Sequence, residues 1–327
     1  MRCGRCALSG RAAVSQGDPC PWLIRRTTGL QPVVSPFTAN IAGVLIKTPK
    51  RIAPLVEDGL VDTVVRQLMS GKEAMIFVVR CGAETRCAKV YKAADQRSFR
   101  QSVDYTEGRR VKNSRRARAM EKGTRYGRKV REEAWQSAEV DALYRLAAAG
   151  VRVPRPYNFH EGVLLMELVT DSQGNPAPRL IDLEFTDVEA RSLHSRLIRE
   201  VVRMLCAGVV HGDLSEYNIL VDSDGPVIID LPQAVDAAGN SHAKSMLERD
   251  VRNLATCLGR FAPELLATEF AAEIWSHYEH GTLTPEVELT GRFEHTAAPV
   301  NLGEVIREID DARAEDAARR LRMHEAG

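Results

Sequence analysis

The sequence has no hydrophobic run that approaches the roughly 20 residues needed to cross a membrane. The longest early candidate covers only residues 41–46, so we expect no membrane partner. Cysteine is scarce and irregularly placed, at positions 3, 6, 20, 81, 87, 206 and 257. An odd number of scattered cysteines is typical of reduced thiols in a cytoplasmic protein. The Cys3-x-x-Cys6 pair has no second pair to complete a site, so we predict no zinc.

Charge is distributed unevenly, although the whole chain has a formal net charge of only +1. Residues 97–131 carry thirteen Lys or Arg against three Asp or Glu. Such a segment predicts a flexible loop that either grips RNA phosphates or gates the nucleotide and recruits an acidic substrate. A solvated insert without a partner is the third interpretation. Only Tyr105 and Tyr126 interleave with the charges, so little base stacking is expected.

An Asp–Asn–Asp constellation lies further along the chain. Asp213 lies in the string His-Gly-Asp-Leu-Ser-Glu-Tyr-Asn, which ends at Asn218, and Asp230 ends an apolar strand. This spacing is typical of phosphoryl transfer, where the first Asp orients or deprotonates an attacking hydroxyl and the other two residues hold Mg²⁺ against nucleotide phosphates. The string alone is weak. A predicted helix over 197–206 and a predicted hairpin over 219–229 place it on a loop and strengthen the prediction.

The N-terminal half supplies candidates for binding the nucleotide phosphates. A small-residue turn, Ser70-Gly71-Lys72-Glu73, precedes an apolar strand and could bring backbone N–H groups close to phosphates, although it lacks the G-x-G-x-x-G pattern. Lys89 lies in a strand-like Ala-Lys-Val-Tyr, where a kinase lysine contacts the α and β phosphates. A predicted helix over 135–146 contains Glu139, which could pair with Lys89 and orient it. Each signal is weak alone, because most such side chains are solvated.

An almost continuous apolar run, Val163–Val169, suits the last strand of a small lobe that passes into a hinge. Backbone groups near Glu167 and Val169 could bond an adenine edge, with Met166 at the back of that pocket. A plain buried strand would contain the same residues. Elsewhere, hydrophobic spacing predicts helices over residues 52–69, 187–206, 241–261 and 263–280, and a surface helix or loose tail over 301–325.

These motifs closely resemble those of RIO-type atypical serine/threonine protein kinases, of the kind found in bacteria. The most specific matches are His211–Leu220 and the Ile-Asp-Leu-Pro-Gln-Ala-Val around Asp230, and the resemblance spans residues 47–294. It implies an α+β, two-lobed protein-kinase-like fold with a small β-rich N-lobe and a helical C-lobe. It also implies ATP and Mg²⁺ as cofactors and a protein substrate.

The resemblance further implies a role for each matching residue. Lys89 would bind phosphate, Asp213 would be the catalytic Asp, Asn218 and Asp230 would bind Mg²⁺, and the segment 167–169 would form the hinge. The second Asp could also carry an aspartyl-phosphate, which suits an ATPase-like cycle. The basic segment would be a flexible loop near the active site, with ribosomal RNA or a pre-ribosomal particle as its candidate partner.

The expected domain organisation follows from the same resemblance. We predict a disordered extension over 1–46, an N-lobe over 47–170, a C-lobe over 171–294 and a tail over 295–327. A start codon placed too far upstream would also explain the extension, and its composition faintly resembles that of a transit peptide, which we favour less.

Two alternatives to a protein kinase stay open. Small-molecule kinases of the aminoglycoside or choline type use the same His-Gly-Asp and Asn spacing. A factor that uses ATP as a conformational switch in ribosome assembly would also keep the site.

The sequence departs from typical protein kinases at two places. Gly212 stands where they have Arg, and Leu-Pro follows Asp230 in place of Phe-Gly. We therefore expect no control by activation-loop phosphorylation.

Overall fold

The structure is a computed structural model that describes residues 25–26, 48–71, 73–92 and 138–293. The predicted basic loop 97–131, the predicted tail 295–327 and most of the predicted extension 1–46 lie outside the described residues. The elements given below lie within one compact unit, residues 1–291. Among the described residues, no helix combines the length and apolar character needed to span a bilayer.

The described residues form an N-terminal part that is dominated by a β-sheet and a C-terminal part that is dominated by helices. The strands are β1 (Arg25–Arg26), β2 (Thr63–Ser70), β3 (Ala74–Cys81), β4 (Glu84–Tyr91), β5 (Pro156–His160), β6 (Val163–Glu167), β7 (Leu183–Glu184), β8 (Val209–Val210), β9 (Ile219–Asp222), β10 (Gly225–Ile228) and β11 (Val235–Asp236). The helices are α1 (Ala53–Glu57), α2 (138–148), α3 (Asp187–Cys206), α4 (Ala243–Leu258) and α5 (Phe270–Glu279), with 3₁₀ turns at Leu180–Asp182 and Pro263–Ala267.

A five-stranded antiparallel sheet with the order β2-β3-β4-β6-β5 forms the N-terminal part. The loop between β3 and β4 has only two residues, and Gly82 adopts the positive φ of 63° that such tight turns favour in glycine. Lys89 lies on the central strand β4, opposite Ile76 on one side and Leu164 on the other. The middle of the sheet therefore fixes its backbone from both sides.

Alternation along β4 decides which way Lys89 faces. Its neighbours Ala88 and Val90 join an apolar cluster with Ile52 and Leu55, next to and within α1. Because successive strand residues point to opposite faces, Lys89 points away from that cluster. The other face of β4 is thus free to line a cavity.

The predicted helix over 52–69 is wrong. Only Ala53–Glu57 is helical, and the chain turns at Gly59, which has a φ of 70°, before β2 begins at Thr63. The apolar residues of this segment fit a helical spacing, but β-branched Thr63, Val64 and Val65 favour an extended chain. Pairing of β2 with β3 then outweighs the helical pattern.

The helical part begins with α3, whose bounds match the predicted 187–206. Thr186 and Glu189 form a capping box, in which each side chain bonds the other residue's backbone N–H group. The predicted helix over 241–261 is shorter in the structure and covers Ala243–Leu258. The predicted helix over 263–280 is divided into a 3₁₀ turn and α5, because Thr268 is extended.

The main hydrophobic core lies among these helices and the short strands beside them. Leu193, Leu197 and Leu205 of α3 pack with Leu254 and Leu258 of α4, and all five are almost completely buried. The predicted hairpin is confirmed as β9 and β10, closed by Asp222, whose carboxylate accepts the N–H groups of residues 224 and 225. The loops that follow β8 and β10 are held by this core, to which they contribute Leu214 and Leu231.

Candidate active site

A cavity of about 580 Å³ opens between the sheet and the loops that follow β6, β8 and β10. Nine of the predicted site residues line it: Gly71, Glu73, Lys89, Met166, Glu167, Val169, Asp213, Asn218 and Asp230. Ser70 and Glu139 are not among the lining residues. Lys72 lies outside the described residues. Segments far apart in the sequence therefore converge on one cavity.

Lys89 joins the sheet to the helical part through two ion pairs. Its Nζ lies 2.5 Å from Oε1 of Glu139 on α2 and 2.7 Å from Oδ1 of Asp230. Burial opposes the charge of Lys89, but Asp230 and Glu139 outweigh burial and hold its pKa well above the ordinary value. The ammonium is therefore charged over the whole physiological range. The predicted contact between Glu139 and Lys89 is present.

Asp230 occupies an unusual backbone conformation at the end of β10. Its φ is 65°, a left-handed value that L-residues other than Asn and Asp seldom adopt. Lys89 lowers the pKa of Asp230, against the effect of burial, so its carboxylate is ionised. About half of the side chain (46%) remains exposed toward the cavity. The strained backbone thus presents a charged carboxylate to the cavity space.

Asp213 and Asn218 lie on the loop between β8 and β9. Asn218 Nδ2 donates to the backbone oxygen of Asp213 at 2.9 Å, and Asn218 O accepts from Ile229 N at 2.9 Å. Burial, with the nearby Asp230 charge, raises the pKa of Asp213, although Arg249 and Asn218 oppose the shift. The site therefore shifts the pKa values of its two carboxylates in opposite directions, as acid–base sites commonly do.

His211 connects the loop that carries Asp213 to the segment that carries Asp230. Its Nδ1 accepts the N–H of Asp213 at 3.3 Å, and its Nε2 lies 3.2 Å from the carbonyl oxygen of Ile229. This pair of contacts assigns the tautomer with the proton on Nε2. Burial lowers the pKa of His211 to about 4, so the ring is neutral. A neutral ring can accept one bond and donate the other, which fixes the spacing between the two Asp-bearing loops.

Helix α4 anchors the same loop through three residues that sequence reasoning missed. Asp250 accepts the N–H of Gly212 at 2.8 Å and the N–H of Leu214 at 2.9 Å. Asn253 Nδ2 donates to Leu214 O at 2.9 Å, and Arg249 donates to Gly212 O. Burial raises the pKa of Asp250 to about 7. An acid on the buried face of a predicted amphipathic helix was the available signal for this anchor.

The turn between β2 and β3 is held by Lys92, a further residue that is not among the predicted site residues. Lys92 Nζ donates to Gly71 O at 2.6 Å and lies 3.4 Å from Ser70 Oγ, while Gly71 N donates to Ala74 O at 2.9 Å. Lys92 N also donates to Glu73 O at 2.8 Å. Lys92 therefore holds the turn against the end of β4, and Gly71 and Glu73 of this turn line the cavity.

The predicted hinge follows β6 along one wall of the cavity. Glu167 N donates to Arg155 O at 2.8 Å, and the Glu167 carboxylate accepts Arg155 N at 3.1 Å. Val169 O accepts from Ala177 N at 3.0 Å. These bonds fix both ends of the segment 167–169, which lines the cavity together with Met166.

The donor set of the site fits Mg²⁺. Asn218 and Asp230 offer amide and carboxylate oxygens, the hard ligands that Mg²⁺ prefers. Asn218 uses Nδ2 on Asp213, which leaves its Oδ1 for a cation, and Lys89 occupies only Oδ1 of Asp230. Among the described residues there is no group of three or more His, Cys, Asp or Glu that could hold a metal. A metal held by two side chains together with phosphates and water is the usual arrangement for Mg²⁺.

Comparison with known proteins identifies the family. The family model described as RIO domain matches residues 75–271, more than half of the chain. This chain belongs to the RIO family. The predicted family is confirmed, and so is the α+β, protein-kinase-like fold with a β-rich N-terminal part and a helical C-terminal part.

Relatives of this RIO domain include curated archaeal and eukaryotic proteins. The RIO-type serine/threonine-protein kinase Rio1 of Haloferax volcanii is 38% identical over 212 residues, which cover 64% of this chain and 68% of the relative. Rio1 of Methanocaldococcus jannaschii is 34% identical over 58% of this chain and 61% of the relative. Serine/threonine-protein kinase RIO3 of Caenorhabditis elegans is 32% identical over 65% of this chain and 40% of the relative. The match therefore spans less than two thirds of the last two relatives.

The names of these relatives agree with the predicted enzyme class, a serine/threonine-protein kinase. The expected bacterial membership stays a prediction. Among solved structures, the Rio2 kinase of Chaetomium thermophilum has a TM-score of 0.48 at 21% identity, covering 69% of this chain and 66% of that chain.

Proposed function

We propose that this RIO domain transfers the γ-phosphoryl group of ATP to a serine or threonine hydroxyl of a protein substrate. The observation that carries the proposal is the 2.7 Å ion pair between Lys89 and Asp230. It joins the central strand of the sheet to the loop after β10, in the cavity that Asp213 and Asn218 also line. Positioning and charge neutralisation are the main demands of phosphoryl transfer, and this arrangement meets both.

Asp213 is the proposed catalytic base. The substrate hydroxyl oxygen attacks the γ-phosphorus, the bond from that phosphorus to the β,γ-bridging oxygen breaks, and ADP leaves. Asp213 accepts the hydroxyl proton, for which its raised pKa makes it a better acceptor than an ordinary Asp. His211 and Asp250 act as positioning residues, because they hold the backbone on either side of Asp213.

Asn218 and Asp230 are the proposed ligands of Mg²⁺. When bound, Mg²⁺ neutralises phosphate charge and fixes the geometry of the phosphates. Lys89 keeps Asp230 ionised and is itself available to the α and β phosphates, while Glu139 orients Lys89. Ser70, Gly71, Lys72 and Glu73 are proposed to cover the phosphates. Met166, Glu167 and Val169 are proposed to hold the adenine.

An aspartyl-phosphate at Asp230 is the second candidate reaction, and one observation favours it. The Asp230 carboxylate is ionised and half-exposed to the cavity, as a nucleophile must be. In this reaction an Asp230 oxygen attacks the γ-phosphorus and ADP leaves, after which water hydrolyses the acyl phosphate. This cycle would suit an ATP-driven switch in ribosome assembly.

A partner for the basic segment 97–131 is proposed from its charge alone, since the segment lies outside the described residues. Its thirteen cations favour RNA phosphates, and ribosomal RNA or a pre-ribosomal particle is the proposed ligand. Filter binding over a salt series tests this: affinity for ribosomal RNA should fall steeply as salt rises. Affinity that ignores salt, or no affinity, would remove the RNA proposal.

The kinase proposal is tested with γ-labelled ATP, Mg²⁺ and a panel of protein and aminoglycoside or choline acceptors. We expect label on serine or threonine of a protein, lost in Asp213→Asn. Label on the small acceptors would favour the small-molecule kinase. The chemistry of the label distinguishes the two proposed reactions. Transfer to a serine or threonine gives an acid-stable label, whereas an aspartyl-phosphate at Asp230 gives a label that hydroxylamine removes. Turnover by Asp213→Asn equal to that of the wild type would overturn the role of Asp213 as catalytic base, and the absence of label on Asp230 would overturn the aspartyl-phosphate.

A further inference from the structure

Arg179 lines the cavity, in the Ala-Pro-Arg-Leu segment that follows the predicted hinge. Its backbone is fixed from two sides. Residues 179 and 220 form an isolated β-bridge, and Asp182 N donates to Arg179 O at 3.0 Å. Arg179 is therefore anchored to β9, the strand that directly follows Asn218.

Within the part of the chain that the structure describes, the guanidinium of Arg179 has one hydrogen-bond partner, and that partner is weak. Its Nη2 lies 3.4 Å from the sulfur of Met69, two residues before Gly71. A thioether is a poor hydrogen-bond acceptor, so this contact costs little to exchange for a better one. Among the described residues, no carboxylate lies within ion-pair distance of Arg179.

Arg179 lines the same cavity as Met69 and the two proposed metal ligands, Asn218 and Asp230. A phosphate bound beside those ligands would therefore lie in the cavity that Arg179 also lines.

The charges along the cavity wall show why a further cation matters. The described lining contains five carboxylates and two cations: Glu73, Glu167, Asp182, Asp213, Asp230, Lys89 and Arg179. Two carboxylates, those of Glu139 and Asp230, already pair with Lys89. A polyphosphate that enters this cavity meets mostly negative charge, and Arg179 is the cation of the described lining that no carboxylate neutralises.

We propose that Arg179 is a phosphate-binding residue for a nucleoside di- or triphosphate in this cavity. Its guanidinium exchanges the Met69 sulfur for non-bridging phosphate oxygens. The planar fork of five N–H donors suits two phosphate oxygens at once, and the charge of Arg is permanent. The inference rests on the proposed function, because it assumes that a nucleotide occupies this cavity.

Calorimetry on the full chain with adenosine, ADP and ATP tests the assignment. Arg179→Ala should weaken ADP and ATP binding by about tenfold to a hundredfold, the effect expected for loss of a charge-assisted hydrogen bond. Adenosine affinity should stay the same, because adenosine has no phosphate. Arg179→Lys should fall between the two. The matched control is Arg199→Ala, which removes an exposed arginine of α3 and should change none of the three affinities.

The possible failures are distinguishable. If Arg179→Ala weakens adenosine as much as ATP, the side chain shapes the cavity and does not bind phosphate. If nucleotide affinities are unchanged while the KM for an acidic peptide rises, Arg179 docks the peptide and the assignment is wrong. If the wild-type chain binds adenosine and neither ADP nor ATP, the phosphate assignment is again wrong. If the wild type binds none of the three, the proposed function itself fails and the inference fails with it.

Discussion

The carboxylate of Asp250 lies 2.8 Å from the backbone nitrogen of Gly212, and its other oxygen accepts the N–H of Leu214. One buried side chain on α4 thus holds the residues on both sides of Asp213. The geometry of the proposed catalytic base therefore depends on a helix more than thirty residues further along the chain.

Asp250→Ala should impair both folding and catalysis. It leaves two buried N–H groups without acceptors, which lowers the free energy of unfolding by about 2–5 kcal/mol. We expect kcat to fall at least about tenfold, since small displacements of a base have large effects. Urea denaturation and phosphotransfer assays measure the two effects. Lys244→Ala, an exposed change on the same helix, is the control. A variant that keeps full kcat would contradict the positioning role.

Glu139→Gln tests the pair that orients Lys89. The amide keeps an oxygen for the Lys89 ammonium but removes the charge, while Asp230 remains in place. We expect kcat/KM for ATP to fall about tenfold with little loss of stability. Glu288→Gln removes a surface charge in the same way and should have no effect. If Glu139→Gln matches the wild type, the ion pair has no role in catalysis.

The buried His194 should make the fold sensitive to acid. Its Nε2 has no hydrogen-bond partner among the described residues, Phe270 packs beside it, and burial lowers its pKa from 6.5 to about 4. Below pH 6.5 the unfolded chain binds a proton that the folded chain does not, so stability is complete above about pH 6.5 and falls toward pH 4.

His194→Leu should remove this part of the pH dependence. Between pH 7 and pH 5 the wild type should lose about 2 kcal/mol more unfolding free energy than the variant. Denaturant titrations at several pH values measure the difference. Val188→Ala, at an exposed residue of α3 that does not titrate, should leave the slope as in the wild type. Identical slopes for His194→Leu and the wild type would mean that His194 does not stay neutral in the fold.

Asn218→Ala should change the response to Mg²⁺. Removing one proposed ligand should raise the Mg²⁺ concentration for half-maximal ATP turnover by about tenfold. Tyr217→Phe is the neighbouring control, because Tyr217 is 53% exposed and has no proposed metal role. An unchanged Mg²⁺ titration for Asn218→Ala would remove Asn218 from the metal site.

Local patterns in the sequence predicted much of this arrangement. The spacing of Asp213, Asn218 and Asp230 is short, and it lies between elements that form from local signals, namely α3 with its Thr186 cap and the hairpin closed by Asp222. Lys89 and Glu139 could be paired only because the motif pattern suggested that distant segments meet.

The remaining features depend on tertiary contacts that a single sequence does not encode locally. Asp250 and Asn253 reach a loop 36 to 39 residues away, and Arg179 contacts Met69 across 110 residues. The valines of the segment 52–69 fit both the helical and the strand spacing of apolar residues. Pairing with β3 makes the part from Thr63 a strand, which the local sequence does not encode.

The central claim is that Lys89, Asp213, Asn218 and Asp230 form one Mg²⁺–ATP site. A crystal structure with a non-hydrolysable ATP analogue and Mg²⁺ tests it most directly. The account predicts a metal about 2.1 Å from oxygens of Asn218 and Asp230, with Lys89 on the α and β phosphates and the γ-phosphate facing Asp213. A nucleotide bound elsewhere on the protein, or a metal that neither side chain touches, would contradict the account.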